Sequence, residues 1–361
     1  MDTADHKIRY LETMNKGIFI KDIQPSDRIE GLFCVSSKRD LETRNGAPYI
    51  GVTLVDRTGE IEGRIWDRVD AMGAVFSQGD YVWIRADSQK FRDVTQLKIV
   101  DVRPVDSDSV EPELFLPVTP VDRDELWKEF MKFVRGIRSA DLGKLLRAMF
   151  GNRRLAASFM DAPAAKKMHH NYIGGLLEHS VSVARLAHAV CGLYRHLDRD
   201  LLVAAGLVHD IGKIDEFSYR RPPIDYTDSG RLVGHTVLGI EILDRFLKGQ
   251  DLEDSSEQIV ALKHLILSHH GRQEFGAPVL PMMEEAVILH LIDDLDAKIN
   301  YLGALKKDIS ESGRGWTAYQ RLFERYFFLG RSAEPEGITA EDMRAGQDAT
   351  PPEQIAQRKI W

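Results

Sequence analysis

The chain has 361 residues, of which 43% are hydrophobic and 29% charged, with a formal net charge of −8. This length accommodates two domains or three small ones with separate cores, and the composition is that of a soluble globular protein. The acidic balance excludes a polycation that grips nucleic acid through a global positive field; such contact has to use local basic and aromatic features or metal ions. The only cysteines, Cys34 and Cys191, lie far apart in sequence, which argues against a disulfide framework or a cysteine metal site and suits a reducing cytoplasm. No stretch approaches the roughly 20 apolar residues of a bilayer span, and the N-terminus lacks the apolar core of a secretory signal. A soluble cytoplasmic protein without a membrane partner is expected.

Residues 1–16 read as a polar lead. Over 17–105 the pattern turns to short β-like runs: IEGLFCV, APYIGVTLVD, EIEGRIWD, DYVWIRA and TQLKIVDV. Turn signals separate them at Asn45-Gly46, at Asp56 to Gly59 and at Gly79-Asp80. Five strands with no long helix between most of them predict a small barrel or sandwich. Period two places Ile50, Val52 and Leu54 with Ile61 and Ile65 on one side, and Glu62, Arg64 and Trp66 on the other. The phrase NGAPYIGVTLVDRTGEIEGRIWD, followed by QGDYVWIRA and QLKIVDVRPV, resembles the nucleic-acid-binding OB-fold. The resemblance implies a barrel that holds single strands by stacking and backbone charge, with Tyr49, Trp66 and Arg64 as candidate contacts. The plainer alternative for the two aromatics is packing within the barrel core, and for Arg64 a solvated charge.

Residues 106–121 are acidic and proline-bearing and read as a linker. A helical connector follows over 122–168, with Leu126, Phe130, Phe133, Val134 and Ile137 at three- and four-residue steps and Asp141 as a candidate cap for the next helix. Arg153, Arg154, Lys166 and Lys167 form a modest basic cluster, more economically explained as a solvated helix end than as a nucleic-acid path. From 169 to 330 the apolar spacing is near 3.6 throughout, except in the polar excursion EFSYRRPPIDYTDSGRL, which contains Arg221. Residues 331–361 are rich in Pro, Gly, Ala and charge and read as a disordered tail.

Within the helical part, LLVAAGLVHDIGKI runs apolar on all sides and then delivers His209, Asp210 and Lys213. Such a segment is usually a buried helix, and an unpaired carboxylate buried at its end costs several kcal/mol or more, roughly, unless a cation or metal compensates. On a continuous helix His209 and Asp210 point about 100° apart, and Lys213 follows His209 by one turn on the same face. Further candidate ligands are His179 in GGLLEHS, His235 in GHTVLG, His269 and His270 in LILSHHG, and Asp293, Asp294 and Asp296 in ILHLIDDLDAK. A lone histidine such as His188, His196 or His264 is more often a surface or satisfied core residue; the joint occurrence carries the case.

The ordered set His, His-Asp, His, His-His, Asp resembles the HD superfamily of metal-dependent phosphohydrolases over about residues 171–301. That resemblance implies a primary metal site of His179, His209, Asp210 and Asp293, with Asp294 as the fallback to Asp293. His235, His269 and His270 would extend it to a second ion or contact substrate phosphate, and Asp296 would support Asp293 from a neighbouring turn. Asp210 and Lys213 are the expected catalytic residues, Lys213 stabilising phosphate or the leaving oxygen; the alternative for Lys213 is a helix-end cation favoured by the macrodipole. His169 and His170 stand where they could face phosphate, and Arg221 in the polar excursion is assigned to substrate as well. A divalent cation is expected, Mn²⁺ foremost, with Fe²⁺, Co²⁺, Ni²⁺ or Mg²⁺ as alternatives.

In detail, HHNYIGGLLEHS, HDIGKIDEFSY, GHTVLGIEIL, LSHHGRQEFGAPV and LHLIDDLDAK, joined to the barrel, resemble the YhaM-type 3′-to-5′ exoribonucleases over about residues 17–330. The expected fold is therefore multidomain β plus α, an N-terminal five-stranded OB-fold barrel followed by an all-α HD domain over 169–330. The expected function is hydrolysis of single-stranded RNA, with single-stranded DNA as a second polymer, to nucleoside monophosphates by metal-activated water. Two alternatives stand beside it: an HD-type nucleotide phosphohydrolase or cyclic-nucleotide phosphodiesterase, and a non-catalytic nucleic-acid-binding protein. The segment HHGRQEFGAP lacks the GYP triplet of the cyclic-di-GMP enzymes. Oligomeric state is left open; a homo-oligomer would gather the local basic patches.

Overall fold

The computed structural model describes residues 16–91, 94–166, 170–249, 256–310 and 315–330. Most of the N-terminal lead, Lys167, His169 and the 331–361 tail lie outside the described residues. Five strands, β1 (Arg28–Glu42), β2 (Pro48–Asp56), β3 (Gly59–Ile65), β4 (Tyr81–Phe91) and β5 (Val94–Val105), close into a barrel in the order β1-β2-β3-β5-β4. The β3–β5 pair is parallel and the others antiparallel, with β4 returning to β1. This is the OB-fold arrangement that the sequence resembles. One long strand, β1, pairs with β4 over its first half and with β2 over its second, and a register shift between Val35 and Ser37 lets it turn the barrel's corner. Alternation does the rest: Ile50, Val52, Leu54, Ile61 and Ile65 fill the interior with Ile29, Ile84 and Leu97. A short helix, α1 (Val69–Gly73), adds Met72 to that core.

The segment 106–121 is packed, which its composition did not announce. Phe115 joins the barrel residues Leu32, Cys34 and Tyr81, and Leu116 joins Ile173, Phe217 and Ile224 of the helical part. Two adjacent apolar residues thus tie the chain to both sides.

Helices α2 (Arg123–Arg135), α3 (Ala140–Gly151) and α4 (Arg153–Asp161) precede α5 (Gly175–Leu193) and α6 (Arg199–Val208). Asp122, Asn152 and Asp198 cap α2, α4 and α6 through their side chains. Asp141 lies in the first turn of α3; Ser139 occupies the cap position expected of it. All residues of α6 from Leu201 to Val208 are buried, so it is the central helix of the largest core. Then follow α7 (Lys213–Glu216), a ribbon of β6 (Phe217–Ser218) and β7 (Asp225–Tyr226), α8 (Asp228–Leu232), α9 (His235–Leu247), α10 (Glu257–Ser268) and α11 (Glu284–Ser310). The ribbon is a two-stranded addition to a mainly helical region.

The polar excursion around the ribbon docks on the barrel. Tyr81 donates its hydroxyl to the Arg220 carbonyl at 3.0 Å, and the Arg221 guanidinium donates to Ser107 Oγ at 2.6 Å. The described residues 301–310 and 315–330 belong to a compact unit of their own, in which Tyr301 donates to Gln320 Oε1 and Trp316 bridges to Phe328. Among the described residues, no helix is long and apolar enough to cross a membrane.

Candidate metal centre

The buried helix α6 ends at Val208, and the chain makes a turn over His209 to Gly212 before restarting as α7. His209 and Asp210 therefore sit on a turn rather than inside the continuous helix expected. Gly212 makes that turn possible: a Cβ there would lie 1.9 Å from the His235 carbonyl oxygen and 2.6 Å from Gly239 N. The backbone of α9 thus presses directly on the turn, which brings His235 to Asp210.

Four ligand atoms converge. His179 Nε2 lies 3.1 Å from His209 Nε2, 3.5 Å from Asp210 Oδ2 and 3.1 Å from Asp293 Oδ1. His209 Nε2 is 3.5 Å from Asp210 Oδ2 and 3.6 Å from Asp293 Oδ1. Donors bound at about 2.1 Å to one ion stand about 3.0–3.4 Å apart, so the spacing suits a shared cation. The other oxygen of Asp210 faces a second group: Oδ1 is 3.4 Å from His235 Nε2 and 3.6 Å from His269 Nε2, and His235 Nε2 is 3.2 Å from His270 Nε2. His179, His209 and Asp210, and separately His235, His269 and His270, each form a cluster able to hold an ion.

Local bonds fix the ring tautomers. His209 donates Nδ1–H to the Gly206 carbonyl at 3.1 Å, and His269 donates to the Ile266 carbonyl at 2.6 Å. Asp296 accepts from Nδ1 of His179 at 2.7 Å, and Glu216 accepts from Nδ1 of His235 at 2.9 Å as well as from its backbone N–H at 3.1 Å. In all four rings Nε2 is thereby turned toward the centre, where it can carry a proton or bind a metal. Nitrogens about 3 Å apart repel unless a proton or metal lies between them. Burial opposes charge on His209, yet Asp210 and Asp293 outweigh it and push its pKa up to about 10. Burial also opposes charge on Asp210 and Asp293, but Lys213 with His209 and His269 holds Asp210, and His179 with His209 holds Asp293, well below the usual carboxylate range. Burial and its histidine neighbours push His270 down to about 3. Asp210 Oδ1 and His270 Nδ1 are buried with no hydrogen-bond partner. The orphaned Asp210 oxygen, beside the imidazole nitrogens of His235 and His269, fits a divalent cation. The side chains of Asp293 and His235 are 18% and 12% exposed against 0–2% for His179, His209 and Asp210, so the centre opens on their side.

All seven expected ligands are brought together. Asp293 and Asp296 continue the buried stripe of Ala286, Leu289 and Ile292 on α11, whereas Asp294 points elsewhere and pairs with Lys298 at 2.5 Å. Asp296 supports His179 rather than Asp293. Lys213 is buried and lies 2.6 Å from Asp210 Oδ2. His170 is not a free phosphate contact: it is 3% exposed, with Nε2 3.1 Å from Asp296 and Nδ1 2.9 Å from the Tyr172 hydroxyl, so its ring braces Asp296. Arg221 is engaged with Ser107 at the start of the 106–121 segment. On the barrel Tyr49 and Trp66 stack at 4.5 Å, with the Arg64 guanidinium 5.8 and 5.9 Å from their rings, on the outer face that period two assigns. Sequence reasoning missed Glu216, Tyr172 and Glu178, which read as ordinary helix-end and loop polar residues; Tyr172 donates to Glu178 at 3.0 Å.

The HD domain family matches residues 176–298. The chain is 35% identical over 292 residues to the 3′-5′ exoribonuclease YhaM of Bacillus subtilis (strain 168), covering 80% of this chain and 90% of that protein. It is also 35% identical over 289 residues to YhaM of Bacillus velezensis, covering 79% and 89%. Among solved structures, the second OB-fold domain of replication protein A from Methanococcus maripaludis is similar to 25% of this chain and 94% of its own, with 15% identity and a TM-score of 0.21.

Proposed function

The chain belongs to the YhaM 3′-5′ exoribonuclease family, and from that premise we propose that it is a metal-dependent exonuclease that shortens single-stranded RNA from the 3′ end to nucleoside monophosphates. Single-stranded DNA is a second polymer it would accept. The observation that supports this most is the position of Asp210, whose two oxygens face two ligand groups at 3.4–3.6 Å. His179, His209, Asp210 and Asp293 would hold one divalent cation, and Asp210 with His235, His269 and His270 a second. Mn²⁺ is our choice because imidazole and carboxylate mix in both groups; Fe²⁺, Co²⁺, Ni²⁺ and Mg²⁺ compete by availability. When bound, such a cation lowers the pKa of water and stabilises negative charge on phosphoryl oxygens.

The protein's own groups supply order and charge. Asp296, Glu216 and the Gly206 and Ile266 carbonyls lock the imidazoles in the required orientation. Lys213 places a fixed positive charge beside Asp210, where it would offset charge on the phosphate or the leaving oxygen. In the reaction a water oxygen joins phosphorus while the bond to the 3′ oxygen of the remaining strand breaks, and that oxygen takes up a proton. The stacked Tyr49 and Trp66, with Arg64, would hold the strand on the barrel. Cys34 and Cys191 are both free and buried, which suits a reducing compartment, and we place the enzyme in the cytoplasm.

The test is turnover of single-stranded RNA carrying a 5′ label, using metal-stripped protein with Mn²⁺ restored, beside Asp210→Asn. A ladder receding from the 3′ end, lost by about a hundredfold or more in the variant while RNA retention persists, is the expected result. Intact RNA in the presence of bound metal would sink the exonuclease reading and turn attention to free and cyclic nucleotides.

A further inference from the structure

Two chain segments adjoin candidate metal-site histidines in the chain without any role assigned above. One, Leu232 to Gly234, leads into His235; the other, Gly271 to Gly276, leaves His270. The histidines they adjoin meet at the centre, with His235 Nε2 and His270 Nε2 3.2 Å apart. Each carries apolar side chains out into solvent: Leu232 is 86% exposed, Val233 42% and Phe275 63%. Singly exposed apolar residues are ordinary; three on the two segments that carry metal-site histidines are not random scatter.

The Phe275 segment is held in a defined shape. Arg272 N–H donates to the His270 carbonyl at 2.9 Å, while Phe275 N–H and Ala277 N–H both donate to the Arg272 carbonyl at 3.1 Å. Gly276 takes a φ of +90°, and a Cβ built there would lie 3.5 Å from His270 Nδ1, so the loop curls back on that ring. The loop therefore presents an aromatic ring at a fixed distance along the chain from a metal-site histidine. Arg272 is exposed, and among the described residues its guanidinium has no ion-pair or hydrogen-bond partner.

We propose that Phe275 and Arg272 form the subsite for the 3′-terminal nucleotide, the ring stacking on its base and the guanidinium contacting phosphate, with Leu232 and Val233 as the apolar wall beside it. The inference rests on the nuclease reading of the metal centre. Stacking tolerates any base because every base has a π-face, which suits an exonuclease that must accept each residue of a strand in turn. A hydrogen-bonding pocket would instead stall at the wrong base. Arginine supplies planar, permanently charged donors for phosphate.

The experiment compares two 5′-labelled RNAs, one with an ordinary 3′-terminal nucleotide and one whose terminal residue is abasic, using the full chain loaded with Mn²⁺. Wild type should prefer the ordinary end by about 5- to 150-fold in kcat/KM, the range that corresponds to loss of one stacked base. Phe275→Ala should abolish the preference mainly through KM, Phe275→Trp should restore it, and Arg272→Ala should weaken turnover of both RNAs alike. Metal stoichiometry and thermal midpoint measured on each variant separate a lost contact from a lost fold. A Phe275→Ala enzyme that folds, binds metal and keeps the wild-type preference overturns the subsite, as does a wild type that shortens both RNAs equally. If wild type shortens neither RNA, the nuclease reading itself fails, and the subsite with it.

Discussion

Glu216 shows how much of the centre depends on residues that never touch the cation position. Its Oε1 accepts from both the backbone N–H and Nδ1 of His235, and the side chain is buried. One carboxylate oxygen thus sets both where α9 begins and which way its first ring faces. Glu216→Gln keeps the size but replaces the charged acceptor with an amide. Partners of this type typically contribute 10- to 100-fold to metal affinity, so calorimetric titration should show about that loss for the ion that His235, His269 and His270 would hold on the proposed reading, with the His179 side less affected. Two equally strong ions in the variant would refute the role. Asp296 plays the corresponding part for His179, with His170 braced behind it.

At the scale of elements, the centre depends on the break between α6 and α7. Every side chain of α6 from Leu201 to Val208 is buried, which anchors the helix, and the turn that follows releases His209 and Asp210 toward ligands from α5, α9, α10 and α11. The contact of Gly212 with the His235 carbonyl leaves no room for a methyl group. Gly212→Ala should push α9 away, with overpacking of about 1–3 kcal/mol and a thermal midpoint lower by several degrees. Because His235 moves with α9, the same variant should lose metal from the Asp210–His235 side; a fully loaded, equally stable Gly212→Ala protein would contradict this account. The apolar run of α6 was legible from residue order. The turn was not, since HDIGKI reads as helix by propensity and only the close approach of α9 requires its interruption.

Across the molecule, the barrel and the metal centre are linked through the excursion that carries β6 and β7. Its Arg220 carbonyl and Arg221 side chain face Tyr81 and Ser107, while Glu216, just before the ribbon, holds His235. On the proposed reading, a strand held on the Tyr49–Trp66 face would be handled by a unit physically joined to the one that cuts it. Trp66→Ala should weaken retention of single-stranded RNA by about 1–3 kcal/mol, a factor of roughly 5 to 150, and leave hydrolysis of a small phosphodiester unchanged. Equal loss on both substrates, measured side by side, would mean that Trp66 supports folding rather than the strand.

Residue types and their spacing by themselves determined which histidines and aspartates were candidates, that the N-terminal part is a five-stranded β unit, barrel or sandwich, and that Trp66 and Arg64 lie on the face opposite its apolar residues; the barrel was implied by the OB-fold resemblance. These properties follow from local periods of 2 and 3.6 and from the cost of burying polar groups. Tertiary structure decided how adjacent and repeated groups divide their work: Asp293 inward and Asp294 to Lys298, Asp296 to His179, His170 into the interior, Arg221 to Ser107, and Lys213 onto Asp210. It also decided that Phe115 and Leu116 pack within a segment whose composition reads as linker. The reason is that a period gives a residue's angle relative to its own element, whereas its partner depends on the azimuth and approach of elements far away in sequence, and those are set only when the cores close.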